Sequence, residues 1–199
     1  MKKIVLLLML SVAAMGFSQY NVPTASPRQT IEQQFSMTKI SVDYGRPGMK
    51  GRKIFGGLVP YNKVWRAGAN AATKITFGQS VNFGGTEVPA GSYGLFAIPT
   101  ENSWKIILNK NADQWGAFSY DPKLNIAEID APVQKTAEKQ EWFTIALTPV
   151  DVHSAELAIS WDQAKATVVI KESKPETVAK IIEKLSEIKQ LEKAAADKK

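Results

Sequence analysis

From about residue 38 to residue 170, apolar and polar positions alternate in short runs broken by turn residues. Ile40, Val42 and Tyr44 alternate with Ser41 and Asp43, the period-two signature of a half-buried strand. Ile75 and Phe77 repeat it. Residues 81–83 and 86–88 flank Gly84-Gly85, which predicts a hairpin with a two-residue glycine turn. Pro89-Ala90-Gly91 and Asn102-Ser103 punctuate further runs at 93–98 and 104–108. Later runs cover 126–129, 142–147, 155–161 and 166–170, and Trp104, Trp142 and Trp161 inside these runs are expected in the core. Strands do not alternate with long helices, so a Rossmann-type unit is excluded. The pattern predicts an all-β fold, an antiparallel β-sandwich of jelly-roll or Ig-like topology.

The period changes at both ends. After residue 173, Val178, Ile181, Ile182, Leu185, Ile188 and Leu191 follow helical spacing, with Lys and Glu on the other face. Ser173 and Glu176 have capping-box spacing, with Pro175 in the first turn. A C-terminal amphipathic helix is expected, either packed on its own body or serving as a partner or self-association helix. At the other end, Lys2 and Lys3 precede an apolar run from Ile4 to Met15, followed by small residues at Gly16 and Ser18. This predicts a signal peptide over 1–18, too short in its apolar run to span a bilayer. The expected organisation is 1–18 signal peptide, 19–172 β-sandwich domain and 173–199 helical tail. The mature protein is expected to be exported, periplasmic or secreted, with no membrane span after cleavage.

Composition narrows the chemistry. The 199 residues include no Cys and one His, which excludes disulfides, cysteine nucleophiles, iron–sulfur clusters and any metal site needing several His or Cys ligands. No cofactor is expected. The formal net charge is +6, from 25 Lys and Arg against 19 Asp and Glu. Lys2 and Lys3 lie in the signal, and the tail from Lys171 carries eight Lys against six acids, leaving the body only about +2. That field is too weak to argue for nucleic acid.

The stretch from Asp43 to Thr73 departs from any strand pattern. It is rich in glycine and basic residues, with Tyr44, Arg46, Lys50, Arg52, Trp65, Arg66 and Asn70 interspersed. Glycines let backbone N–H groups approach a ligand, guanidinium forks match carboxylate or phosphate, and ring faces stack on sugars. A second polar-aromatic cluster holds Asn109, Asn111 and Trp115. The alternatives are a ligand site and a structured loop whose arginines pair with carboxylates. No Gly-Lys-Ser or Gly-Lys-Thr occurs, so this is not a phosphate-binding Walker loop.

The motifs Tyr44-Gly45-Arg46-Pro47, 50-KGRKIFGGLVPY-61, 63-KVWR-66 and Gly68-Ala69-Asn70 occur in one order with 89-PAGSY-93, Asn109-Lys110-Asn111, Gln114-Trp115-Gly116 and 142-WFTI-145. In these, residues 26–172 resemble the domain-of-unknown-function family 2911. The resemblance implies an exported bacterial protein, typically from Bacteroidetes-like organisms, of unassigned activity. Two positions depart from the family pattern: Ala67, where Thr is usual, and Ala71, where Glu is usual. Were that Glu catalytic, this chain would lack it.

Other chemistry is weakly signalled. His153 follows Asp151 in an expected surface turn. Ser36 and Lys39 have Ser-x-x-Lys spacing, but a strand points such residues to opposite faces; Ser186 and Lys189 lack companion motifs. Nothing in the spacing of Asp113, Asp121, Glu128, Asp130 and Glu141 selects a glycosidase pair, and no calcium-loop motif occurs. The resulting expectation is a non-catalytic binding module of the cell envelope for a small anionic or carbohydrate-like ligand. Its site residues are Tyr44, Arg46, Lys50, Arg52, Trp65, Arg66, Asn70, Asn109, Asn111 and Trp115. The alternatives are a carboxylate-dependent envelope hydrolase and an interaction subunit acting through the tail helix.

Overall fold

A computed structural model describes residues 23–196; the expected signal peptide at 1–18 lies outside the described residues. The chain forms β1 (Arg28–Phe35), β2 (Thr38–Gly45), β3 (Thr73–Phe77), β4 (Val81–Phe83), β5 (Thr86–Val88), β6 (Gly91–Pro99), β7 (Ser103–Asn109), β8 (Asn125–Asp151), β9 (Ser154–Glu172) and the helix α1 (Pro175–Ala196). All strand pairings are antiparallel, in the order β1-β2-β3-β6-β7-β8-β9-β4-β5. This is the expected all-β sandwich with a C-terminal helix.

β8 joins the two layers. Its first part pairs with β7, from Asn125 opposite Asn109 to Pro132 opposite Ser103. Its later part pairs with β9, from Thr144 opposite Ser160 to Asp151 opposite Ser154. The partner changes at Pro132 and Val133, since Val133 already lies opposite Ala166 of β9; register shifts between Lys135 and Thr144 then bend the strand within that second ladder. The separate sequence runs at 126–129 and 142–147 are therefore one strand, as are those at 155–161 and 166–170. The intervening residues are mostly polar and exposed, so the apolar pattern vanishes while the backbone stays extended.

The two sheets bury one continuous core. Ile40, Val42 and Tyr44 of β2 face Phe143 and Ile145 of β8 and Leu157, Ile159 and Trp161 of β9 within it. Burying each such side chain is worth about 1.5–3 kcal/mol. The outer face of β6 and β7 carries a smaller cluster of Ala72, Phe96 and Ile107. The 110–124 connection covers it, with the Phe96 and Tyr120 rings 5.1 Å apart.

Two local expectations need correction, and one strand lies outside the alternating pattern. β1 has little apolar pattern, only Ile31 and Phe35 among polar residues, because it is an edge strand paired only with β2. Trp142 is 39% exposed rather than core, because it sits beside the bend in β8. The capping box does not form: Ser173 Oγ donates instead to Glu87 Oε1 at 2.8 Å, and the helix begins at Pro175.

Between β2 and β3 the chain runs from Arg46 to Ala72 without a strand, and connections of this length are uncommon unless functional. It folds over the sandwich through isolated bridges, Gly48 to Trp142, Trp65 to Ala97 and Ala71 to Trp115. Two glycines permit the close approach. A Cβ on Gly45 would lie 2.3 Å from the Ala69 carbonyl oxygen, and Gly68, at φ +153°, packs against the Gly45 carbonyl in return.

Candidate functional site

Trp65 is the anchor from which the site is built. Its backbone exchanges two 2.8 Å hydrogen bonds with Ala97 of β6, and its indole N–H donates to the Gly68 carbonyl. Its ring stacks on Trp161 with centroids 6.0 Å apart and lies 5.1 Å from Phe143. On the other side of Arg66, Thr73 Oγ1 donates to the Ala67 carbonyl at 2.6 Å. The Arg66 backbone is thus pinned from both sides, and its side chain leaves a rigid support, as a pre-organised ligand needs.

That side chain enters a hollow of about 260 Å³. Arg52, Trp65, Arg66, Asn70 and Trp161 line it, and no Asp or Glu does. Arg66 is half-buried and makes no ion pair among the described residues, where the one guanidinium paired with a carboxylate is that of Arg28 with Asp43. Its Nε is shielded from solvent and has no hydrogen-bond partner among the described residues. Burial pushes the Arg66 guanidinium below its ordinary value, yet such a group stays charged at neutral pH. Leaving one buried donor unmet costs about 1–3 kcal/mol. An anion in the hollow would face the Arg66 charge and meet no carboxylate there.

The other expected site residues are dispersed. Tyr44 is fully buried and cannot stack on a ligand; its hydroxyl donates within the sandwich, 3.1 Å from the Ile145 carbonyl, and accepts from the Ile145 N–H. Arg46 turns away to β8, with Nε on the Phe143 carbonyl and Nη2 on Thr144 Oγ1, both at 3.1 Å. Arg52 does line the hollow, but it spends Nε and Nη2 on the Met49 and Gly48 carbonyls. Lys50 is exposed and sits at φ +48°, its backbone N–H held by Glu141. Trp65 presents part of its ring to the hollow as floor rather than as a free stacking face, being only 7% exposed.

Asn109 is buried, bridging the Asp121 carbonyl and Asn125 and capping the Asn111 N–H. It holds the 110–124 connection in place and contacts no hollow. Asn111 reaches toward the Ser119 carbonyl in the same connection. Trp115 is 65% exposed and lines a neighbouring cleft of about 270 Å³ with Lys74, Asp113 and Ala71, and Lys74 pairs there with Asp113. The two hollows abut in sequence at Asn70 and Ala71, and the Asn70 carbonyl accepts from the Gly116 N–H.

The geometry defines a β-sandwich whose long β2–β3 connection frames a basic, carboxylate-free hollow. The chain belongs to the family described as protein of unknown function (DUF2911), whose model matches residues 26–170. That match spans the whole sandwich and stops before α1. No curated protein and no solved structure matches the chain. No helix among the described residues is long and apolar enough to cross a membrane.

Proposed function

We propose that the protein is an exported envelope module that binds a small anionic ligand, an acidic sugar or another carboxylate- or phosphate-bearing molecule, without transforming it. The observation that carries this reading is the Arg66 guanidinium, half-buried on a rigid support, with its Nε unpartnered in a hollow free of Asp and Glu. Arg52 adds a second positive charge, and Asn70 adds polar groups at the rim. Stacked indoles beneath supply the apolar floor that a sugar ring needs. A carboxylate-dependent hydrolase draws no support here, since such chemistry needs two acids about the reacting bond and this hollow has none.

The test is calorimetric titration with D-glucuronate and neutral D-glucose. Glucuronate is expected to bind more tightly, and Arg66→Ala to weaken it tenfold or more, because a charge-assisted hydrogen bond is worth about 1.5–3 kcal/mol. Equal affinity for both sugars, or an unchanged Kd in Arg66→Ala, overturns the reading.

A second reading, self-association through α1, is favoured by one observation. Ile181, Ile182, Leu185, Ile188 and Leu191 are all 41–71% exposed, and Val178, Ile181, Leu185 and Ile188 are spaced as in a two-stranded coiled coil. Deleting residues 174–199 and measuring solution mass decides it: a mass that does not fall removes the helix as a contact.

A further inference from the structure

A second hollow, about 510 Å³, lies at the opposite end of the β1–β2 hairpin, between the β1–β2 turn, the β8–β9 turn and α1. Its walls are apolar: Phe35, Pro149, Val152, Ala155 and Ile182. Such a volume is within the range of small-molecule sites. The titratable groups facing it are Asp151, His153 and Glu172.

Glu172 is the unusual member. Its side chain is 2% exposed, and Oε2 lies 2.9 Å from His153 Nδ1. Its backbone N–H donates to the His153 carbonyl, so the two residues are tied twice across the end of the sandwich. The other carboxylate oxygen, Oε1, is shielded from solvent and has no hydrogen-bond partner among the described residues. Ser36 Oγ, lining the same hollow, is likewise shielded and unpartnered. A buried carboxylate oxygen is an acceptor that calls for a donor, and donors bearing positive charge satisfy it best.

Asp151 is already committed. Hydrogen bonds from the His153 N–H, then from Ser154, hold its carboxyl below the ordinary range, so it adds fixed negative charge at the rim. Two carboxylates face one imidazole, and no Lys or Arg lines the hollow. Apolar walls around a negative acceptor fit a ligand with an apolar body and a protonated amine.

We infer that this hollow binds a small organic ammonium, its charge set against the Glu172 carboxylate and its hydrocarbon body lying against Phe35, Val152 and Ile182. The site goes beyond the anion-binding reading and shares no residue with the Arg66 hollow.

The experiment is an amide-shift NMR titration of the full chain with 2-phenylethylamine, which is protonated at neutral pH. The isosteres 2-phenylethanol and 3-phenylpropionate serve as neutral and negative probes. The amine should give saturable shifts at His153 and Glu172 with a millimolar Kd, and the alcohol and the carboxylate should bind about tenfold more weakly or not at all. Glu172→Gln should cost the amine about tenfold. If that variant does not fold, Ile182→Lys decides: it places a cation in a wall contributed by the half-exposed face of α1 and should weaken the amine more than the alcohol, which loses only the apolar contact. Equal binding of all three probes, an amine Kd unchanged in a folded Glu172→Gln or in Ile182→Lys, or no saturation by about 20 mM would overturn the assignment.

Discussion

At the open end of the β1–β2 hairpin, beside Ser26 and Pro47, a hollow is built from guanidinium groups, indoles and glycine backbone. At its closed end, beside Phe35 and Ser36, another is built from aliphatic side chains, an imidazole and carboxylates. An eight-residue strand, roughly 27 Å long, separates them. Each shelters a polar atom with no partner, Arg66 Nε in one and Glu172 Oε1 in the other. Native proteins rarely leave such atoms unmet, and an ordered water or a ligand would meet each. The difference lies in support. Arg66 leaves a backbone fixed by β6 and Thr73, whereas the Glu172 hollow is lined on one side by Ile182 of α1, a helix whose one buried residue among those described is Val178. The basic hollow is rigid, and the acidic one has a wall that can be moved or removed.

The most damaging way to break the comparison is to remove the floor of the basic hollow. Trp65→Ala should cost about 3–5 kcal/mol, seen as a lower urea midpoint, because it empties the centre of the Phe55, Trp104, Phe143 and Trp161 cluster. Gly45→Ala should follow, at about 2–3 kcal/mol, since its Cβ meets the Ala69 carbonyl and must push the 65–70 segment outward. Thermal melting checks it, and an unchanged Tm would mean that the segment yields freely.

The arginines sharpen the contrast. Arg46→Ala removes two hydrogen bonds to β8 and should lower stability by about 1–2 kcal/mol while sparing glucuronate affinity. Arg66→Ala should do the reverse, leaving Tm within a degree or two while the anion affinity falls, because no protein acceptor is lost with its Nε. Neither change should alter amine binding at the far hollow, and Glu172→Gln should leave glucuronate binding unchanged.

The smallest effect concerns pH. Asp151 is held below its ordinary range when folded, by the His153 N–H first. Its contribution to stability is present above the unfolded carboxyl value of about 4 and is lost as pH falls through the lower folded value. Asp151→Asn should therefore flatten the acid limb of the stability curve below about pH 4, measured by urea unfolding at several pH values.

The sandwich could be read residue by residue where one face of a strand is dry. In β2 and β3 the buried positions are those that the alternation marks, whereas β6 and β7 are buried without a break over 93–97 and 106–109 because the 110–124 connection covers their outer face. β1 escaped because an edge strand needs few apolar residues, and the length of β8 escaped because its bend is polar and exposed. The candidate site was legible in composition but not in geometry. Arginine, tryptophan and glycine between 43 and 73 announce an unusual connection, yet nothing in their order says that Arg46 turns to β8 while Arg66 turns to the hollow. Tyr44 carries the same ring in the sequence whether it stacks on a sugar or fills the core. The acidic hollow left a fainter trace, one histidine in a turn, because its carboxylate partner stands 19 residues away at the far end of β9.

By itself the sequence determined most of the strands, the tail helix and the family, because periodicity and motif order are local properties that burial imprints on neighbouring residues. Only the tertiary structure decided which polar groups meet and which are left without partners. Hydrogen bonds are satisfied across the packed layers, between residues that the chain keeps tens of positions apart, so Arg46 is held by β8 while the Arg66 Nε finds no partner among the described residues.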